Sequence, residues 1–67
     1  MTIGESIRKH RKAKRVLQKE LAESIGVHQV QISWWETGRT FPNILNCISL
    51  ADALQITIDE LVGRNKK

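Results

Sequence analysis

Apolar residues along this chain recur at three- and four-residue spacing and almost nowhere at two. That is the period of helices with one buried face. Ile3, Ile7 and His10 fall at i, i+4, i+7 and predict a first helix running to about Lys14. Thr2 and Glu5 form its capping box: the hydroxyl accepts from the third helical N–H while the carboxylate reaches back. A second helix is expected from about Gln18, with Leu21, Ala22 and Ile25 inward. It stops at Gly26, where glycine enters the left-handed region without a Cβ penalty. A third runs from about Gln29 to Thr37 with Ile32 and Trp35 inward, and ends at Gly38. Pro42 disfavours helix in the residue before it, so 39–42 read as a loop. Asn43 caps a fourth helix whose Ile44, Cys47, Ile48, Ala51 and Leu54 form one apolar stripe. Thr57 and Glu60 make a second capping box, opening a short fifth helix that ends by Gly63. No segment alternates with period two for long enough to be a strand. The expectation is an all-α, five-helix domain over residues 1–63, followed by a basic tail at 64–67.

Length narrows this further. A chain of 67 residues buries only about 60% of its unfolded surface, enough for one small core and no second domain. The single cysteine, Cys47, excludes an internal disulfide and any multi-thiolate zinc site. Hydrophobic residues at 40% and charged residues at 27% suit a folded domain rather than a disordered tail. No run approaches the ~20 apolar residues of a membrane span. The charged N-terminal segment has no signal-peptide core. The expected setting is the cytoplasm, where a lone thiol stays reduced.

The net charge of +4 is unevenly spread: +5 over residues 1–20, −4 over 21–63 and +3 over the last four. A basic half points to a polyanion, nucleic acid first, although the same charges also suit a solvated helix face. Catalytic chemistry is thin. His10 lies on the core face and reads as a hydrogen-bonded core histidine, and Cys47 as a small apolar filler. His28 is the only other candidate base. No metal-ligand spacing, paired carboxylate or glycine-rich phosphate loop occurs. Neither a metal, a cofactor, a small-molecule ligand nor an enzyme activity is expected.

Residues 18–37 carry the specific signal. Ala22 is small where two helices must cross, and Gly26 supplies the positive φ of a tight turn. Leu21, Ile25, Val27, Ile32 and Trp35 pin the pair over one core and leave the other face of the third helix free. That is helix-turn-helix geometry, in which the second helix of the pair enters the major groove. There Gln29 can pair with adenine N6 and N7, worth ~1–3 kcal/mol of discrimination. Val30 and Trp34 lie outward at i, i+4, where apolar groups suit thymine methyls or, alternatively, a protein or self-association surface. The second helix lacks a polar N-cap, having Leu17 there, and the third helix carries no Lys or Arg. Phosphate affinity would lean on Arg39 and on Lys12, Lys14, Arg15 and Lys19.

The order and spacing of several motifs resemble the Cro/repressor type of helix-turn-helix protein, the family of lambdoid phage repressors and many small bacterial regulators. They are I-x3-I-R from Ile3, Q-K-E-L-A from Gln18, I-G-V from Ile25, I-S-W-W-E-T-G from Ile32, Pro42, L-A-D-A-L from Leu50 and I-D-E-L from Ile58. The resemblance implies a lambda-repressor-like domain that binds operator DNA as a two-fold dimer, acting as a transcriptional regulator and by preference a repressor. It implies base contacts from Gln29, Val30, Ser33 and Trp34, and backbone contacts from Gln18, Gln31, Thr37, Arg39 and Thr40. Arg11 and Glu36 match an internal salt bridge, and Ile58, Glu60 and Leu61 a dimer surface. Arg15 and Gln55 stand where the family commonly has glycine, so a left-handed backbone is expected at both. The rival reading is a protein-interaction module, such as an antitoxin or anti-regulator, with Val30 and Trp34 as its patch.

Overall fold

The five capped segments of the sequence become five helices in the computed structural model, which describes residues 2–63. They are α1 (Ile3–Ala13), α2 (Gln18–Ile25), α3 (Gln29–Thr37), α4 (Ile44–Leu54) and α5 (Ile58–Val62). The expected tail at 64–67 lies outside the described residues. Caps decide the boundaries. Thr2 Oγ accepts from the Glu5 N–H at 3.1 Å, and Glu5 accepts from the Thr2 N–H at 2.8 Å. Thr57 and Glu60 repeat this at α5, at 3.0 and 2.9 Å. These N–H groups donating to the carboxylates hold Glu5 and Glu60 below the ordinary carboxylate pKa. Asn43 Oδ1 accepts from the Asn46 N–H at 2.8 Å and opens α4. Gly26 ends α2 at φ 77° with open space around its missing Cβ, so the backbone angle alone calls for glycine.

Every helix sends at least one side chain into a single core: Ile7, Leu21, Ile32, Leu50, Leu54 and Leu61 are essentially inaccessible. Trp35 joins them at 3% exposure and, as expected, is core. Helix α3 lies against α1 and α2, α4 packs on α2 and α5, and α5 closes against α1. Cys47 is buried as a filler, and burial pushes its thiol pKa up, so it remains a neutral group. His10 sits half-buried at the edge, its Nδ1 2.9 Å from the Ser6 carbonyl oxygen. Ser6 in turn donates to the Glu60 carbonyl at 3.2 Å, tying α1 to α5.

Two features depart from the sequence reading. In α4 the buried stripe is Cys47, Leu50, Ala51 and Leu54, while Ile44 and Ile48 are exposed. The period was legible, but apolar residues occupy most of this helix's circumference, so period alone could not set its phase. Gly4 also has a role beyond its place in a capping box. A Cβ there would collide with the backbone carbonyls of Trp35 and Glu36, so α1 approaches the end of α3 as closely as only glycine permits. Gly4→Ala should therefore cost about 2–3 kcal/mol although glycine is a poor helix former. Urea unfolding of the variant measures it, and a gain in stability would contradict this close approach.

Arg15 and Gln55 both adopt the left-handed region, at φ 57° and 58°. A non-glycine residue there costs roughly 1–2 kcal/mol. Gln55 lies exposed at the end of α4 and holds only a 3.3 Å surface bond from Lys14. Gln55→Gly is expected to raise stability by about 0.5–1 kcal/mol, the relief of strain exceeding the entropy that glycine adds to the unfolded chain. The midpoint of chemical denaturation should move up accordingly.

Candidate nucleic-acid interface

Helix α3 divides cleanly into two faces. Ile32, Trp35 and Glu36 point into the protein, and Gln29, Val30 and Thr37 are exposed, with Gln31, Ser33 and Trp34 half-exposed between them. The inward face is held by a charge network. Arg11 of α1 meets the Glu36 carboxylate side-on: Nε lies 2.6 Å from Oε2 and Nη2 3.1 Å from Oε1. The remaining Nη1 donates to the Val16 carbonyl at 2.8 Å, in the turn between α1 and α2. Gln18, the first residue of α2, donates from Nε2 to Glu36 Oε1 at 3.1 Å. One carboxylate thus gathers α1, α2 and α3. The side chains of Arg11 and Glu36 are 10% and 2% exposed, so the pair is buried and little screened. Among the described residues, every buried side-chain nitrogen and oxygen has a hydrogen-bond partner.

Burial sets the consequence. Removing one member of a buried pair typically costs 3–5 kcal/mol, because the other charge is left unpaired, whereas replacing both is far milder. Against the roughly 5 kcal/mol or so that a domain of this size holds, a single loss is severe. Arg11→Met should lower the melting temperature by about 15 °C or more. Arg11→Met combined with Glu36→Leu should recover much of that. Calorimetry of the two variants tests this, and equal losses in both would assign the effect to something other than the stranded charge.

The structure places the other sequence-derived candidates as follows. Gln18 is half-buried, with one amide N–H committed to Glu36 and the second left over. The Thr37 hydroxyl donates back to the Ser33 and Trp34 carbonyls, at 3.0 and 3.3 Å, rather than standing free. Arg39 and Thr40 are exposed, and their N–H groups reach back to the Trp34 carbonyl at 2.9 and 3.4 Å. Leu61 is wholly inside the core and so holds α5 in place instead of offering surface. Ile58 is half-buried against that core, and the Glu60 carboxylate is occupied by its capping box. Of the expected dimer surface, little exposed apolar area remains.

One relationship was not read from the sequence at all. The Arg39 guanidinium lies over the Trp34 ring, 5.2 Å from its centroid. Such a contact is worth about 0.5–1 kcal/mol at an exposed site. It joins a cation just beyond the end of α3 to the helix's outward aromatic, five residues earlier, across a glycine-terminated turn. A spacing of five is not a helical neighbour relation, which is why periodicity gave no sign of it. The caps add another distinction. Thr2, Asn43 and Thr57 each supply a side-chain acceptor, but Leu17 before α2 and His28 before α3 do not. At α2 the Glu20 carboxylate accepts from the Leu17 N–H at 2.8 Å, so that start already holds an anion, whereas the free N–H groups at the start of α3 favour one.

A paired α2 and α3, packed together with Ala22 buried, turned at Gly26 and locked from behind, defines a helix-turn-helix domain. A family model described as helix-turn-helix matches residues 7–61, and the chain belongs to that family. It is 39% identical over 64 residues, 96% of its length, to the cryptic phage CTXphi transcriptional repressor RstR of Vibrio cholerae. It is 42% identical over 60 residues, 90% of its length, to repressor protein C2 of Salmonella phage P22. The chain spans 57% and 28% of the lengths of these two relatives. Its fold matches that of the P22 c2 repressor in complex with a synthetic operator, with a TM-score of 0.89 and 38% identity over 97% of this chain and 98% of that one. Among the described residues no helix is long and apolar enough to cross a membrane.

Proposed function

We propose that residues 1–63 form a sequence-specific DNA-binding domain that acts in the cytoplasm as a transcriptional repressor, by binding and not by catalysis. The observation that carries this reading is the outward face of α3, where the side chains of Gln29, Gln31 and Ser33 make no hydrogen bond among the described residues while the inward face is fully engaged. Gln29, at the first position of α3, reads a base edge through its amide. Val30 and Trp34 offer apolar surface to thymine methyls, and Ser33 lies between them. The spare N–H of Gln18, the uncapped start of α3, Gln31, Arg39 and Thr40 meet phosphates. Two copies bind an inverted repeat, their α3 helices about 34–36 Å apart in successive major grooves. Similarity to repressors, one of them bound to an operator, favours this over the protein-interaction reading.

Selection from a random duplex library at low and moderate salt tests the proposal. An enriched inverted repeat is the expected result. Retention without any motif, lost steeply with salt, would reduce the protein to a phosphate binder, and no retention would overturn the reading. On the selected site, Gln29→Ala should lose ~1–3 kcal/mol while random duplex is bound as before. Arg39→Ala should weaken both and flatten the salt dependence by about one unit if it neutralises one phosphate. Because Trp34 seats Arg39, loss of both should cost less than the two single losses together.

A further inference from the structure

We infer that the groove between the last turns of α2 and α4 binds an aliphatic organic cation, an alkylammonium or alkylguanidinium group. Ser24 and Ile25 of α2, with Ser49, Asp52 and Ala53 of α4, line a space of about 430 Å³, within the range of small-ligand sites. None of these residues belongs to α3, so the site stands apart from the DNA reading and is tested without it.

Three observations choose a cation as the occupant. The first is hydrogen-bonding capacity, which here is mostly for accepting. The Ser24 hydroxyl donates to the Leu21 carbonyl at 2.7 Å and keeps only its lone pairs. At the end of α2 the N–H groups of Gly26 and Val27 both go to the Ala22 carbonyl, so those of Glu23, Ser24 and Ile25 accept from no backbone N–H. The Asp52 carboxylate is exposed and has no basic partner among the described residues. The second is the field. Helices α2 and α4 both end beside the groove without a basic residue in the last turn, whereas α1 ends in His10, Arg11 and Lys12. With roughly half a unit of negative charge at each carboxyl end, the groove faces on the order of two units once Asp52 is included. A chain of net charge +4 thus gathers negative potential at one place, and Asp52 stands at the end of its helix that disfavours a carboxylate. The third is the floor. Half-buried Ile25 and the methyl of Ala53 offer a narrow apolar strip on which an aliphatic stem lies while its charged head meets Asp52. Such a head is carried equally by a free amine and by a lysine or arginine side chain of another protein.

Two probes test the site and separate the sources: agmatine, a free amine with a guanidinium at its other end, and arginine blocked at both termini as acetyl and methylamide. Titrated into the chain without DNA, agmatine should shift the amides of residues 24–26, 49, 52 and 53, saturating at low millimolar concentration. Asp52→Asn should weaken this binding about tenfold, while Asp52→Glu keeps most of it. In roughly 0.1 M salt, Asp59→Asn on α5 should change it by less than about twofold. Asp52→Asn should also melt slightly above the parent chain, because it removes a carboxylate from the wrong end of a helix, so lost binding is not lost folding. Binding of agmatine alone assigns the groove to a free amine, and equal or tighter binding of the blocked arginine assigns it to a side chain of another protein. The inference is overturned if neither probe gives a saturable shift, if the shifts follow ionic strength across the whole surface, or if Asp52→Asn binds as the parent does.

Discussion

The buried carboxylate of Glu36 is the constraint around which the domain is organised. It accepts from Arg11 on α1 and Gln18 on α2, and Arg11 also takes up the Val16 carbonyl of the turn between them. A hydrophobic core resists separation of the helices but tolerates sliding, since its contacts are non-directional. A side-on guanidinium–carboxylate pair does not slide, because two parallel hydrogen bonds define both distance and orientation. Helix α3 is therefore fixed in rotation as well as in place. Gly4 acts alongside by allowing α1 to press onto the Trp35 and Glu36 carbonyls.

Fixing the rotation of α3 has a functional consequence. Were the helix to turn by one residue's angle, Gln29 and Val30 would no longer share the exposed side. A groove-reading helix gains specificity only if its amides arrive at base edges with hydrogen-bond accuracy. The rigid inward face thus makes an outward face useful even though it carries no Lys or Arg. Positive charge stands instead at the flank, where Arg39 rests on Trp34 and loses some of its freedom.

The cap pattern divides the molecule in the same way. Helices α1, α4 and α5 close their starts with their own Thr or Asn side chains, whereas Leu17 and His28 supply no acceptor to the two helices of the motif, and at α2 only the Glu20 carboxylate reaches back to the Leu17 N–H. A missing cap costs about 1 kcal/mol in an isolated domain. Together with the left-handed Arg15 and Gln55, it is stability forgone. The uncapped start of α3 lies at Gln29, on the exposed side of the helix, where an anion could supply the missing acceptor.

Number, order and boundaries of the helices were determined by the sequence alone, because capping boxes, glycine stops and helical period are local signals that act within a few residues. The spacing from Gln18 to Thr37, with the motifs around it, likewise determined the class of motif and its outward residues. What the tertiary structure decided is which of several apolar faces is buried. Helix α4 has apolar residues on most sides, and only its packing against α2 and α5 selects Leu50 and exposes Ile44 and Ile48. The same holds for Leu61, drawn inward by the closing of α5 on α1 and α4, and for Gly4, whose value depends on a carbonyl some thirty residues away. Local period records how often a residue type recurs along a helix, but burial depends on which neighbour arrives, and that neighbour is distant in the chain.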